Sequence, residues 1–274
     1  MSEGPSHYVH GTDADEQRRL GQLNELLNDG SLRELRLSGG EAILDLGCGT
    51  GQLTRGMAAQ AGPRGRVVAI DRSPEQLEEA RRLSEGAESI DYRVGDVTAL
   101  ALRDPEWGSF DVAHSRFLLE HLPDPLAVVR AMVRAVRPGG RIVLEDEDHE
   151  ILRLWPEPEG FTQTWEAYIE SYRLAGNDPH VGKRLIELLR QAGAEPTRNA
   201  CIWFGCAVGD PMFVTWVANL LGVLQGARTS ILATGRLHES RFNATLESVR
   251  AWGRREDSAS WYFMACAEGR RPGP

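Results

Sequence analysis

Two rhythms of apolar and polar residues alternate along the first half of the chain. Short apolar runs fall at 43–46, 66–71, 90–96, 110–115 and 141–144. Each is bounded by polar or glycine-rich residues, which predicts five strands. Between them lie stretches with helical spacing; in 125–136, Leu126, Val129, Val133 and Val136 form one stripe. The helix boundaries carry their own signals. Thr12 or Asp13 can cap a helix running to Asn28, with Leu20, Leu23 and Leu27 on one face and Gly30 as its stop. A second helical stretch covers Ser31 to Leu37. Gln52 opens a helix that Gly62 and Pro63 close after Ala61. Ser73-Pro74-Glu75-Gln76 reads as an N-cap, an N1 proline and a glutamine at N3, for a helix reaching Gly86. Arg137-Pro138-Gly139-Gly140 stops helix 125–136 and turns the chain into the fifth strand. Strands alternating with helices predict a mostly parallel sheet covered on both faces, a Rossmann-like α/β fold.

The chemistry concentrates where the first strand ends. Ile43-Leu44-Asp45-Leu46 runs into Gly47-Cys48-Gly49-Thr50-Gly51, with glycines at alternate positions. Glycine admits positive φ and lets a ligand lie against bare main chain. The helix beginning at Gln52 offers unpaired N–H groups behind the turn. A dinucleotide-binding turn reads G-x-G-x-x-G, and here the third glycine comes one residue early. That spacing disfavours an NAD-dependent oxidoreductase. Asp71, closing the second run Val67-Val68-Ala69-Ile70, would sit beside the first turn and accept hydrogen bonds from ribose hydroxyls.

Leu44-Asp45-Leu46-Gly47-Cys48-Gly49-Thr50-Gly51 resembles the first motif of the class I S-adenosylmethionine (SAM) methyltransferases. The branch it is most similar to holds small-molecule enzymes such as the ubiquinone/menaquinone C-methyltransferases. Phe110-Asp111-Val112 looks like their fourth motif and Arg137 to Gly140 like the loop before their fifth strand. The resemblance covers residues 41–148. It implies a seven-stranded sheet, with Ala194 to Gly205 as the sixth strand after a helix over Val181 to Gln191. Ser258 to Glu268 would be the seventh strand, inserted antiparallel. It also implies a set of cofactor contacts. Gly47, Cys48, Gly49 and Gly51 would line the cofactor, Asp71 would take the ribose and Arg72 would flank the adenine. Asp96 and the Val97 N–H would meet the adenine edge. Asp45 would either meet the methionine amino end or brace the turn. Ser115 and Arg116 would lie near the methionine part. Tyr8, in the polar arm 1–11, would close the site as a lid. Asp111 reads as structural, an acid that starts a strand.

Composition narrows the partners. The chain has 274 residues with a net charge of −9, which argues against nucleic acid as the substrate. No apolar run approaches the roughly 20 residues of a membrane span. The first residues lack a signal-peptide layout. Cys48, Cys201, Cys206 and Cys266 make no C-x-x-C pair, so reduced thiols in the cytoplasm are expected. Cys201 and Cys206 could form a thiol pair for a metal or arsenic, but their apolar neighbours favour buried strand positions.

The domain reading is an N-terminal helical lid over 1–40 and a SAM-binding domain over 41–274, with helical inserts at 149–180 and 206–257. The inserts carry Trp155, Phe161, Trp165, Tyr168 and Tyr172, then Met212, Phe213, Trp216 and Trp252. As a group these aromatics suit a roof for an apolar pocket; each one singly suits packing. A general base is needed only if the accepting atom must lose a proton. His149, Asp146 and Glu145 follow the fifth strand and are the candidates, with His149 placed first. Asp148, His114, His121 and His180 are alternatives. A solvated acidic loop or a metal site are the other readings of Glu145-Asp146-Glu147-Asp148. The expected function is methyl transfer to a small, partly apolar metabolite in bacterial specialised biosynthesis. The alternative is a SAM-binding protein that catalyses a cyclisation or rearrangement, or scaffolds a partner. A homo-oligomer is compatible, because the N-terminal helices could cap their own site or a neighbour's.

Overall fold

The structure, a computed structural model, describes residues 27–86 and 88–273. Tyr8, Leu20 and Leu23 lie outside the described residues. The chain divides into two units. One is built from Leu27–Asp148, His180–Ile202 and residues 264–273, the other from His149–Pro179 and Trp203–Phe263.

The first unit is the sheet that the apolar runs predict. β1 (Ala42–Leu46), β2 (Arg66–Asp71), β3 (Ile90–Val94), β4 (Phe110–Arg116) and β5 (Val136–Asp146) lie in the order β3-β2-β1-β4-β5, each pair parallel. β8 (Ala259–Arg270) then pairs antiparallel with β5, from Arg141↔Arg270 to Asp146↔Ala265. β7 (Glu195–Ala207) also pairs with β8. The fold is therefore the Rossmann-like, mostly parallel sheet of the class I methyltransferases, with the last strand inserted antiparallel. Helices α2 (Gln52–Ala61), α3 (Pro74–Leu83), α4 (Pro125–Ala135) and α6 (Leu185–Gln191) connect the strands. The α4 stripe buries Val128, Val129, Met132 and Val133 against Leu44, Leu46, Phe110, Ile142 and Leu144. Each such side chain contributes about 1.5–3 kcal/mol on leaving water. Ser73 caps α3 as expected, its Oγ accepting from the Gln76 N–H at 3.2 Å.

Four details depart from the sequence expectation. α3 stops at Leu83 rather than Gly86. β5 begins at Val136 and takes in Arg137 to Gly140, with a register shift opposite Phe110 and Val112. The helix expected over Val181–Gln191 opens with a 3-10 turn, Val181–Arg184, before α6. Gly30 ends no helix, because α1 is continuous over residues 27–35. Its reason lies in packing: a Cβ on Gly30 would come within 2.4 Å of Ile202 Cγ2 on β7. The glycine lets α1 lie close on the sheet, and Leu27 and Leu35 are buried there. Residues 27–35 thus lie in the sheet unit. Gly30→Ala tests this. A free helix would gain about 1 kcal/mol from the better helix former, whereas overpacking against a stiff β-branched neighbour costs about 1–3 kcal/mol. Urea unfolding should show net destabilisation; a chain as stable as the parent would refute the close-approach account.

The second unit holds α5 (Phe161–Leu174), α7 (Phe213–Gly226), α8 (Arg228–Ala233) and α9 (Glu239–Trp252). It also holds a short strand that the sequence did not suggest, β6 (Arg153–Trp155), which pairs antiparallel with β8 from Arg153↔Trp261 to Trp155↔Ala259. Its interior is aromatic: Tyr168, Tyr172, Phe213, Phe242 and Trp252 are all buried. Trp216 is 4% exposed, its Nε1–H donates to Ser260 Oγ at 2.9 Å, and its ring meets Phe204 and Tyr262. No helix among the described residues is long and apolar enough to cross a membrane.

Candidate functional site

The turn after β1 is built from three left-handed glycines. Gly47, Gly49 and Gly51 have φ of 72°, 54° and 70°. Only glycine adopts such angles routinely. A Cβ on Gly51 would lie 2.3 Å from the Tyr92 hydroxyl, so the space as well as the angle excludes a side chain there. The turn is pinned to β2, since the Gly47 and Cys48 N–H groups both donate to the Ile70 carbonyl, at 2.8 and 3.2 Å. Gly51 then serves as the N-cap of α2 without any capping side chain, which leaves backbone N–H groups of the first turn for a ligand.

Asp71, at the end of β2, is half-buried and closes this cradle. Its Oδ2 accepts from the Gly49 N–H at 2.8 Å and its Oδ1 from the Ser73 N–H at 3.0 Å. Each carboxylate oxygen retains a further acceptor position. Asp71 is therefore a brace of the turn, a role that spacing alone did not reveal. Arg72, next to it, is exposed. Asp96 follows β3, and its Oδ1 accepts from the N–H and the hydroxyl of Thr98 at 2.8 and 2.7 Å. Those bonds hold its carboxyl below the usual range. Val97 beside it is buried. Burial, then the charges of Asp45 and Asp71, push the Cys48 thiol far up, so it is a neutral packing group. Left-handed glycines, a half-buried carboxylate with spare acceptor positions and an exposed carboxylate beside an apolar side chain fit a nucleoside joined to an amino acid. Gly47, Cys48, Gly49, Gly51, Asp71, Arg72, Asp96 and Val97 are the residues that would hold SAM.

The remaining expected contacts lie deeper. Asp45 is 3% exposed, with Thr54 Oγ1 donating to its Oδ2 at 2.6 Å and His114 Nδ1 lying 2.9 Å from its Oδ1. These bonds brace the turn, one of the two roles open to Asp45. Ser115 is fully buried. Arg116 donates to Asn28 Oδ1 at 2.8 Å and Ser31 Oγ at 3.0 Å, which ties β4 to α1. Asp111 accepts from the Ala42 N–H and from Arg137, the structural role expected of it.

The acidic run at the end of β5 is no solvated loop. Glu145 and Asp146 are both 0% exposed and point to opposite faces, as neighbours on a strand must. Asp146 accepts from the N–H groups of Leu118, Leu119 and Glu147 at 3.2, 2.8 and 3.0 Å. Burial, then Glu120, push its carboxyl up against the pull of those bonds. Glu145 lies 3.7 Å from His114 Nε2. Asp146 thus braces the Leu118–Leu119 backbone. Asp148 holds His180 at 3.1 Å and Lys183 at 3.5 Å. His149 belongs to the second unit, 3% exposed, its ring 5.9 Å from Trp165, 5.3 Å from Tyr168 and 5.0 Å from Tyr172. Its carbonyl accepts from Trp165 Nε1–H at 2.6 Å. Cys201 is exposed and Cys206 buried. They stand an odd number of positions apart on β7 and so face opposite ways, which removes the thiol pair and corrects the buried position expected for Cys201.

Comparison with known proteins agrees with this geometry. A family model described as "Methyltransferase domain" matches residues 44–144. The ubiquinone biosynthesis O-methyltransferase of Xanthomonas campestris pv. campestris is 41% identical over 134 residues, 48% of this chain and 54% of that protein. The chain spans about half the length of the curated relatives it matches. A SAM dependent methyltransferase from Aquifex aeolicus shares the fold, with a TM-score of 0.53 and 19% identity over 69% of this chain and 93% of that one. The [4+2]-cyclase SpnF shares it too, with a TM-score of 0.52 and 18% identity over 94% and 82% of the two chains. Motif, sheet order and cradle converge: residues 44–144 match a methyltransferase domain, and the chain has the fold of the SAM-dependent methyltransferases.

Proposed function

We propose that this chain transfers the methyl group of SAM to a small, partly apolar metabolite. The observation that carries the reading is the cradle at the ends of β1 and β2, three left-handed glycines with Asp71 bonded across them to the Gly49 N–H. When bound, SAM supplies an activated methyl group on a sulfonium, so the chain's task is alignment and exclusion of water. Gly47, Gly49 and Gly51 admit the cofactor against bare backbone. Asp71 takes the ribose hydroxyls while fixing the turn. Asp96 accepts from the adenine amino group, and Val97 gives the ring an apolar shelf. Ser115 and Arg116 shape the methionine end from β4. An apolar acceptor is supported by the aromatic row Phe161, Trp165, Tyr168 and Tyr172 on α5, with His149 enclosed by the last three rings. Where the acceptor must lose a proton, His149 is the base proposed, ahead of Asp146 and Glu145. His149→Ala should then lose turnover while retaining affinity for S-adenosylhomocysteine (SAH).

Calorimetric titration with SAM, SAH and NADH, followed by a screen of metabolites for SAH formation, tests the reading. Binding of SAM and SAH without NADH, then SAH formation with one acceptor class, is the expected result. NADH binding without SAM binding would overturn the cofactor assignment. SAM binding with product formation but no SAH would overturn methyl transfer in favour of a cyclisation or rearrangement.

A further inference from the structure

Asp45, His114, Arg116 and Glu145 lie on one face of the sheet at the carboxyl ends of β1, β4 and β5. The register sets Asp45 opposite His114 and Arg116 opposite Glu145. Asp45, His114 and Glu145 are each less than 4% exposed. Along the row the charges read carboxylate, imidazole, carboxylate, guanidinium. His114 Nδ1 is 2.9 Å from Asp45 and its Nε2 is 3.7 Å from Glu145. Two carboxylates enclosed this deeply need compensation, and an unpaired buried charge costs several kcal/mol. A neutral imidazole could only donate to Asp45; an imidazolium does so and also sets its positive charge 3.7 Å from Glu145, an electrostatic contact beyond hydrogen-bond distance.

We propose that His114 is a positioning residue, a buried imidazolium that acts through Asp45 to set the cofactor turn and makes cofactor binding fall away at alkaline pH. This rests on the SAM reading of the cradle. Asp45 stands two residues before Gly47, and with Thr54 it joins β1 to α2, so its side chain fixes both sides of the turn. Glu145 faces Arg116, which holds Asn28 and Ser31 of α1. One proton on His114 therefore keeps the turn and α1 on the same frame.

Among the described residues, β1 sets Asp45 and β5 sets Glu145 at His114, while Thr54 of α2 bonds Asp45 and Ser31 of α1 bonds Arg116. On its own strand Arg116 follows. On β8, Cys266 stands opposite Glu145, its thiol pushed up by burial and then by that carboxylate. Farther along β8, Glu268 is neutralised by Arg36, Arg141 and Arg198. Burial pulls the His114 pKa down, but Asp45 and Glu145 outweigh it and raise it to about 9. A raised histidine stabilises the folded chain fully below its unfolded value of ~6.5, and that support is lost as pH rises through about 9.

The test is SAH titration of the parent chain and His114→Gln from pH 7 to pH 10, alongside NMR of the imidazole nitrogens in the unaltered protein. SAH has its own titrating amino group, which meets both proteins alike, so the informative quantity is the difference between the two profiles. At neutral pH His114→Gln should bind SAH ~10-fold more weakly. The gap should close above pH 9. Nitrogen shifts of a doubly protonated ring at pH 7.5 would support the proposal independently of cofactor binding. A neutral ring at pH 7.5, or equal SAH affinity and parallel profiles for the two chains, would overturn it. Failure of the parent chain to bind SAH at any pH would instead sink the cofactor reading, and the NMR result would still judge the charge of His114.

Discussion

Asp71→Ala should bind SAM and SAH about 2–4 kcal/mol more weakly than the parent chain, a loss of ~30- to ~1000-fold. Two effects add. The first is the loss of the ribose hydroxyls' charged acceptor. The second is internal to the protein: the Gly49 and Ser73 N–H groups lose the carboxylate they donate to, at 2.8 and 3.0 Å. An unfastened Gly49 samples other backbone angles, and the cofactor must then supply the ordering that Asp71 supplied. The asparagine variant separates the two effects. It keeps one carbonyl acceptor for the turn but replaces the other with a donor. Asp71→Asn should therefore lose less affinity than Asp71→Ala while retaining more of the turn's order. Calorimetry with SAH reads the affinity, and thermal unfolding without ligand reads the brace. Unchanged SAH affinity in both variants would sink the ribose assignment. Equal affinity losses with equal falls in melting temperature would reduce Asp71 to a brace alone.

Trp216→Ala should destabilise the chain by about 3–5 kcal/mol, the range for emptying a buried aromatic site. Trp216 is 4% exposed and lies between the rings of Phe204 and Tyr262. Its removal also leaves Ser260 Oγ, 2.9 Å from the indole nitrogen, without its donor in a buried place. Trp165 is the contrast. It is only part-buried, stacks on Phe161 at 5.7 Å and donates to the His149 carbonyl at 2.6 Å. Trp165→Ala should cost less stability and more substrate affinity. Urea unfolding of both variants, with acceptor KM measured once a substrate is in hand, checks the pair. If Trp216→Ala unfolds like the parent chain but raises KM, Trp216 belongs to the pocket and the packing account fails.

The five strands of the parallel sheet, the glycine turn and the Ser73 cap were legible because each is a local matter. Alternating burial, the sterics of φ and a side chain reaching three residues ahead are fixed within a few positions. Asp71 could be placed beside the turn because a right-handed crossover leaves a second parallel strand little choice of neighbour. β6 was missed, since three residues carry no period.

The bracing residues were beyond that reach. Asp45 meets His114 across 69 residues of chain, and Arg116 meets Asn28 across 88. Nothing in the run Glu145-Asp146-Glu147-Asp148 tells that its first two carboxylates are fully buried, because what neutralises them arrives from β4, α1 and the Leu118–Leu119 backbone. Gly30 misled for the same reason. Within its own segment a glycine after a helical stripe reads as a stop, and only Ile202 of β7, at 2.4 Å from the missing Cβ, shows that it exists for contact. The sequence by itself therefore determined the parallel strands and the turn, both set by short-range sterics and hydrogen bonding, while the resemblance of its motifs carried the cofactor class. Tertiary structure alone decided which acids are braces and which tryptophan is core, because a charge or a ring takes its role from partners that the chain delivers from far away.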